Sequence, residues 1–89
     1  MVLHLGAEWV VPHRHVLAIL DLSTADSPDT RAFLRYAHQQ GEVITVPEGE
    51  PRSVVIAVGE AGARRVYLSP ISAATLKQRN LSAGSFSVS

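Results

Sequence analysis

Several features are missing from this sequence. It has no cysteine, which excludes a disulfide framework and a thiolate metal site in a chain of 89 residues. No apolar run approaches the roughly 20 residues of a membrane-spanning helix, so we expect no membrane partner. The first residues have no basic lead and Glu8 interrupts their apolar run, so we expect no signal peptide. These absences favour one small cytoplasmic domain.

An excess of positive charge is also missing. Eight basic residues balance eight acidic ones, and the formal net charge is zero. This balance counts against a monomer that holds nucleic acid by bulk attraction. Lys77 is the only lysine, and the other seven cations are arginines, which suit bidentate contacts to phosphate or carboxylate. A GC-rich genome produces the same arginine bias, so composition leaves both explanations open.

The hydrophobic pattern predicts an α+β fold with a small, mainly antiparallel sheet or partly closed barrel of five or six strands. One central helix and one short C-terminal helix complete it. The strand candidates are residues 3–5, 8–11, 16–22, 42–46, 52–58 and 64–69. Strands 42–46 and 52–58 are predicted to form a hairpin, because the five residues between them contain two prolines and a glycine.

Capping residues mark both predicted helices. The central helix is predicted over residues 28–40, after Ser27 and before Gly41. The short helix is predicted over residues 73–79, after Ser72. We expect a single domain over residues 1–81, followed by a disordered C-terminal tail over residues 82–89, which are small and polar.

Two of the strands are apolar on both faces. In the strand near residue 55, Val54, Ile56 and Val58 alternate with Val55 and Ala57. Such strands need both faces covered, and two helices can cover only one face of a sheet of this size. We therefore expect self-association through the remaining face, because obligate interfaces are apolar. The alternative is a small barrel whose interior takes one set of side chains.

The segment His13-Arg14-His15 precedes the strongest strand. In an extended segment, His13 and His15 point to one face and Arg14 to the other. A histidine pair at this spacing could hold a metal, but no third and fourth ligands follow at a recognisable spacing, so we expect no metal and no cofactor. Arg14, between the two histidines, could be a solvated or ion-paired surface residue or could contact a phosphate, and we weigh these two interpretations equally.

Nothing in the sequence indicates an enzyme. It lacks the G-x-S-x-G segment of a nucleophile elbow, and Ser72 is explained as a helix cap. The pair Arg64 and Arg65 begins the last strand, where it could form a basic cluster with the cations of the final helix. It could also be ordinary solubilising charge.

Three segments carry a family resemblance. They are residues 3–6 (LHLG), 10–21 (VVPHRHVLAILD) and 67–79 (YLSPISAATLKQR). Taken in this order and at nearly the same spacing, they resemble the Rem family of bacterial extracellular-matrix and biofilm regulators, and the RemB type more than the RemA type. The resemblance extends from residue 1 to about residue 79, and its specificity comes from the ordered set.

The resemblance implies a function and a set of site residues. It implies a transcriptional regulator of extracellular-matrix and biofilm genes that binds duplex DNA as a ring-shaped homo-oligomer in the cytoplasm, associated with the nucleoid. A ring repeats a few arginines many times, so each subunit need not be basic. Arg14 matches a basic DNA-binding position of the family, and Arg52 matches one position of a basic RemA-type segment. The candidate DNA-binding residues are Arg14, Arg52, His13, Arg64 and Arg65.

The sequence departs from the RemA type at one segment. Glu48 and Glu50 stand where the RemA type is basic, and each would repel phosphate at close range. This departure favours a second possibility, an oligomeric adaptor that binds no DNA but contacts a regulatory protein such as a RemA-like paralogue. A small metal-binding or ligand-sensing domain is the third.

Overall fold

The structure, a computed structural model, describes residues 1–23 and 27–85. In that part of the chain it contains six strands and two α-helices, and a single 3-10 turn, His13–His15, joins the second and third strands. The elements are β1 (Val2–Gly6), β2 (Trp9–Pro12), β3 (Val16–Asp21), α1 (Pro28–Gln39), β4 (Val43–Thr45), β5 (Ser53–Val58), β6 (Arg64–Ser69) and α2 (Ala73–Ser85). The predicted α+β class is confirmed.

The strands form two sheets. β1 and β2 make an antiparallel hairpin, and the other four strands form a sheet in the order β3-β5-β6-β4. Pairing in the larger sheet is antiparallel except between β4 and β6, which are parallel. The mainly antiparallel arrangement is therefore as predicted. Over the described residues neither sheet closes into a barrel, so the barrel alternative is wrong.

The predicted hairpin between β4 and β5 is also wrong. β6 lies between these strands, and the amide of Val46 continues the parallel pairing by donating to the carbonyl of Leu68 at 2.9 Å. The proline- and glycine-rich segment 47–51 is a crossover that packs on Pro70. A Cβ built on Gly49, whose φ is +146°, would lie only 3.0 Å from the Cβ of Pro70. The breakers correctly predicted a change of direction, but they do not specify the partner strand.

The four-stranded sheet is covered on both faces by the same chain. On one face, the β1–β2 hairpin and α2 form a core with the sheet (Leu3, Leu5, Val11, Ile19, Val46, Val55, Ala57, Ala73 and Leu76). On the other face, α1 packs over a smaller core (Ala37, Val54 and Val66, with Phe33 and Leu34 at its border). The prediction that one apolar sheet face is left for a partner is thus wrong, because β1 and β2 form a covering layer of their own.

Both helices begin at the predicted capping residues. The Ser27 hydroxyl accepts a hydrogen bond from the amide of Thr30 at 3.1 Å, and the Ser72 hydroxyl accepts one from the amide of Thr75 at 3.2 Å. A serine cap of this kind stabilises a helix by about 1 kcal/mol. Gly41, with φ of +71°, follows the end of α1, as expected of a left-handed terminating residue.

The second helix is longer than predicted. It continues to Ser85, into the segment expected to be a disordered tail, and residues 86–89 lie outside the described part of the chain. The limit of the domain at residue 81 stays a prediction. Neither α1 nor α2 is long and apolar enough to cross a membrane.

Candidate functional site

Arg14 lies in the 3-10 turn and reaches the turn between β5 and β6. Its Nη2 donates to Oε1 of Glu60 at 2.5 Å, and the two side chains are 67% and 73% exposed. The pairing of β3 with β5 brings these turns together, since Val16 lies opposite Ala57. The hydrogen bond and charge of Arg14, followed by the charge of His15, hold the pKa of Glu60 below its ordinary value. Arg14 is therefore an ion-paired cation.

His15 lies on the other side of the same carboxylate. Its Nε2 is 3.9 Å from Oε1 of Glu60, and its side chain is only 20% exposed. Nε2 itself is buried without a hydrogen-bond partner. Buried polar atoms without partners are uncommon in folded proteins and call for an explanation.

His13 points elsewhere. Its Nδ1 donates to Oδ1 of Asn80 at 2.9 Å, which ties the 3-10 turn to α2. The prediction that His13 and His15 share one face of a strand is wrong, because three residues complete a full 3-10 turn and direct the two rings to different elements. In this structure His13 fastens a helix, and its availability to DNA stays a prediction.

Arg64 and Arg65 point to opposite faces of β6, as the alternation of side chains along a strand requires. Arg64 is on the α1 face, where its Nε donates to Oε1 of Glu42 at 3.0 Å. Its guanidinium carbon also lies 5.7 Å and 6.0 Å from the ring centroids of Phe33 and Tyr36. Arg65 is exposed, and its Nη1 donates to the carbonyl of Arg64 at 2.9 Å. Of this pair, Arg65 is the more exposed, and no described carboxylate pairs with it.

Arg52 lies at the opposite end of the sheet. Its backbone is fixed, because its amide donates to the carbonyl of Ser69 at 2.8 Å and its carbonyl accepts from the amide of Leu22 at 3.1 Å. Its side chain is exposed, and no described residue accepts a hydrogen bond from its guanidinium. Ser72 lines the same cleft, so the N-terminal end of α2, which attracts negative charge, is beside Arg52.

One acidic residue shares the surroundings of Arg52. The hydroxyl and amide of Ser23 donate to Oδ1 of Asp21 at 2.7 Å and 2.8 Å. These hydrogen bonds are the main cause that lowers the pKa of Asp21, and the charges of Lys77 and Arg52 add to it. Asp21 thus offsets part of the positive charge of Lys77 and Arg52 at this end of the sheet. The exposed side chains of Glu48 and Glu50 precede Arg52 on the crossover.

A single chain does not bring all the candidate residues together. Arg14 lies just before the start of β3. Arg52 lies just before Ser53, which pairs with Asp21 at the end of β3. The six residues of β3 span about 20 Å, so Arg14 and Arg52 cannot contact the same phosphate. Arg65 is at the end of the sheet where Arg14 lies, since it pairs with Ala57.

The comparisons with known proteins agree with the resemblance found in the sequence. The model of the family described as extracellular matrix regulatory protein A-like (RemA-like) matches residues 2–79. The chain belongs to the RemA-like family. It is also 35% identical over 79 residues to extracellular matrix regulatory protein B of Bacillus subtilis (strain 168), which covers 89% of each chain. The description of this family indicates a regulator of the extracellular matrix.

The sequence did not single out Glu60, although Glu60 determines the state of Arg14. The two residues are 46 positions apart, and only the pairing of β3 with β5 makes them neighbours. In the described part of the chain, no three or more His, Asp or Glu side chains gather around one point that could hold a metal ion.

Proposed function

We propose that this RemA-like protein regulates extracellular-matrix or biofilm genes by binding duplex DNA as a homo-oligomer, without enzymatic activity. The observation that carries the proposal is Arg52, an exposed guanidinium from which no described residue accepts a hydrogen bond. It lies beside the N-terminal end of α2, and both groups favour a phosphate. Arg65 adds a second exposed guanidinium at the far end of the sheet.

Self-association is part of the proposal because one subunit offers few cations. The net charge is zero, and Arg14 and Arg64 are each paired with a glutamate. Arg52 and Arg65 of one subunit give a small electrostatic contribution to affinity, whereas a ring of subunits on one duplex repeats it. The protein would then work in the cytoplasm, in association with the nucleoid.

Exposed apolar side chains support the same proposal. Three of them are on the β1–β2 hairpin (Val2, Trp9 and Val10), and Met1 precedes it. Leu17 and Leu81, which are 66% and 74% exposed, line a shallow groove between β3 and α2. β3 is an edge strand of the larger sheet, and edge strands with exposed leucine favour pairing or packing with another chain.

Two measurements on one sample test this function. Light scattering at micromolar concentration should give several times the chain mass of 9.6 kDa. A low-salt titration with a labelled duplex should show binding that weakens steeply as salt rises. A clean monomer peak would overturn the assembly, and an assembled protein that binds no duplex at low salt would overturn the DNA contact.

A second function, an adaptor for a regulatory protein, is favoured by one observation. Glu48 and Glu50 are exposed immediately before Arg52, and they oppose a phosphate at that end of the sheet. An adaptor should co-elute with a RemA-like paralogue in size-exclusion chromatography while leaving duplex DNA unbound. Binding of duplex DNA by the protein alone would decide against this alternative.

A further inference from the structure

The carboxylate of Glu60 lies between two groups that compete for it. Arg14 donates to Oε1 at 2.5 Å, and Nε2 of His15 is 3.9 Å from the same oxygen. Arg14 and Glu60 are largely exposed, so a phosphate can approach their pair from solvent. The guanidinium presents its donors to carboxylate and to phosphate in the same geometry. A phosphate that binds Arg14 must therefore displace Glu60 or accept its negative charge nearby.

His15 is placed to change this competition. Imidazole is the side chain that commonly gains a proton between about pH 8 and pH 5, and both ring nitrogens are then donors. A proton on Nε2 of His15 would need an acceptor, because that atom is buried and has none. Glu60 is the carboxylate next to it.

The other charged groups near the 3-10 turn are directed elsewhere. On the turn itself, His13 bonds to Asn80 of α2. Arg79 of α2 reaches the carbonyl of His4 at 3.4 Å, and the charge of Lys77 acts on Asp21. On β6, Arg65 bonds to the carbonyl of Arg64.

We propose that Glu60 competes with DNA phosphate for Arg14, and that a proton on His15 weakens this competition by drawing the carboxylate away. The inference rests on the proposed function, since it assigns a regulation to the same Arg14. Protonation changes the charge of the three groups from zero to plus one, which favours an incoming phosphate. By linkage, duplex DNA must in turn favour the proton on His15.

Duplex titrations at about pH 8 and about pH 6 test the inference with three variants. At the higher pH, Glu60→Gln should bind about two- to fivefold more tightly than the wild type per engaged Arg14, the range expected for loss of one exposed ion pair. Its advantage should shrink at the lower pH. His15→Gln should lose this pH dependence and His38→Gln should keep it, because His38 is exposed on α1 and makes no contact with Glu60.

A measurement without DNA separates this inference from the proposed function. The signal of the Arg14 Nη nitrogens in a carbon-detected NMR spectrum reports whether Glu60 holds the guanidinium through Nη2. Acidification of the wild type should move this signal toward its position in Glu60→Gln, and His15→Gln should show no such movement. The wild-type comparison needs no variant of His15, so it stays decisive if His15→Gln unfolds.

The outcomes are distinguishable. If the NMR signal responds as expected but no protein binds duplex at low salt, the proposed function fails and the contact between these three side chains stands. If the wild type binds duplex and Glu60→Gln has the same affinity at both pH values, the competition is refuted. An Arg14 signal that does not respond to acid refutes the role of His15.

Discussion

Replacing Arg52 by alanine tests the proposed DNA contact most directly. The Arg52 side chain is exposed and no described residue accepts a hydrogen bond from it, so its loss breaks no such contact within the fold. Its backbone hydrogen bonds to Ser69 and Leu22 are independent of the side chain and should persist. We therefore expect Arg52→Ala to fold and assemble as the wild type does.

The magnitude follows from the number of phosphate contacts. Each contact contributes about 0.9 to the slope of log affinity against log salt. Between about 50 mM and 200 mM salt, the wild type should lose about 3.5-fold more affinity than Arg52→Ala for each engaged subunit. Arg14→Ala should have a smaller effect, because wild-type Arg14 must first give up its ion pair with Glu60.

Fluorescence anisotropy with a labelled duplex measures both quantities, and light scattering on the same samples checks assembly. Arg35→Ala is the matched control, because Arg35 is exposed on α1, on the opposite face of the sheet from α2. A salt slope of Arg52→Ala that equals those of Arg35→Ala and the wild type would refute the assignment of Arg52 to a phosphate.

Three further outcomes are expected. Glu48→Arg combined with Glu50→Arg should tighten duplex binding at low salt, with a gain that fades as the Debye length falls to about 8 Å at physiological salt. An unchanged affinity would show that the crossover faces away from DNA. Leu76→Ala should lower the free energy of unfolding in urea by about 2–5 kcal/mol because its side chain is fully buried, whereas Gln78→Ala, at an exposed position of the same helix, should change it by less than about 0.5 kcal/mol. The pKa of Glu60 lies below its ordinary value of 4.5, so its ion pair stabilises the fold above pH 4.5 and this contribution is lost as pH falls through the lowered pKa. The difference in thermal midpoint between the wild type and Glu60→Gln should therefore be largest near neutral pH and vanish in acid.

Local features of the fold could be predicted from the sequence, and long-range pairing could not. The caps at Ser27 and Ser72 and the bounds of β6 depend on neighbouring residues, and the structure agrees with them. β4 pairs in parallel with β6, a strand some 20 positions away in the sequence. No local pattern encodes that choice, and the false hairpin followed from assuming that adjacent strands pair.

The same limit applies to the candidate site. The arginines were identified from residue type and resemblance, but whether each cation is free depends on its partner in space. Glu42 and Glu60 engage Arg64 and Arg14 from other strands or turns, and neither glutamate carried a local signal. The extended geometry predicted for His13–His15 is also wrong. The segment forms a 3-10 turn whose first residue, His13, bonds to Asn80 of α2, and no local pattern indicates a contact with a residue so far along the chain.

The pairing of these arginines bears on how a neutral chain could hold DNA. An arginine already bound to a glutamate gains little from a phosphate, because it exchanges one anion for another. Arg64 has the most to lose, since it would also leave the rings of Phe33 and Tyr36. Arg14 has less to lose, since both members of its pair are exposed to water and screened by salt. Affinity for duplex DNA should then increase in steps as the number of subunits that present Arg52 and Arg65 rises, with Arg14 joining when Glu60 is drawn toward His15. We therefore expect that a variant that assembles but keeps Glu60 fixed on Arg14 still binds duplex DNA. At low pH, its affinity should depend less steeply on salt than that of the wild type.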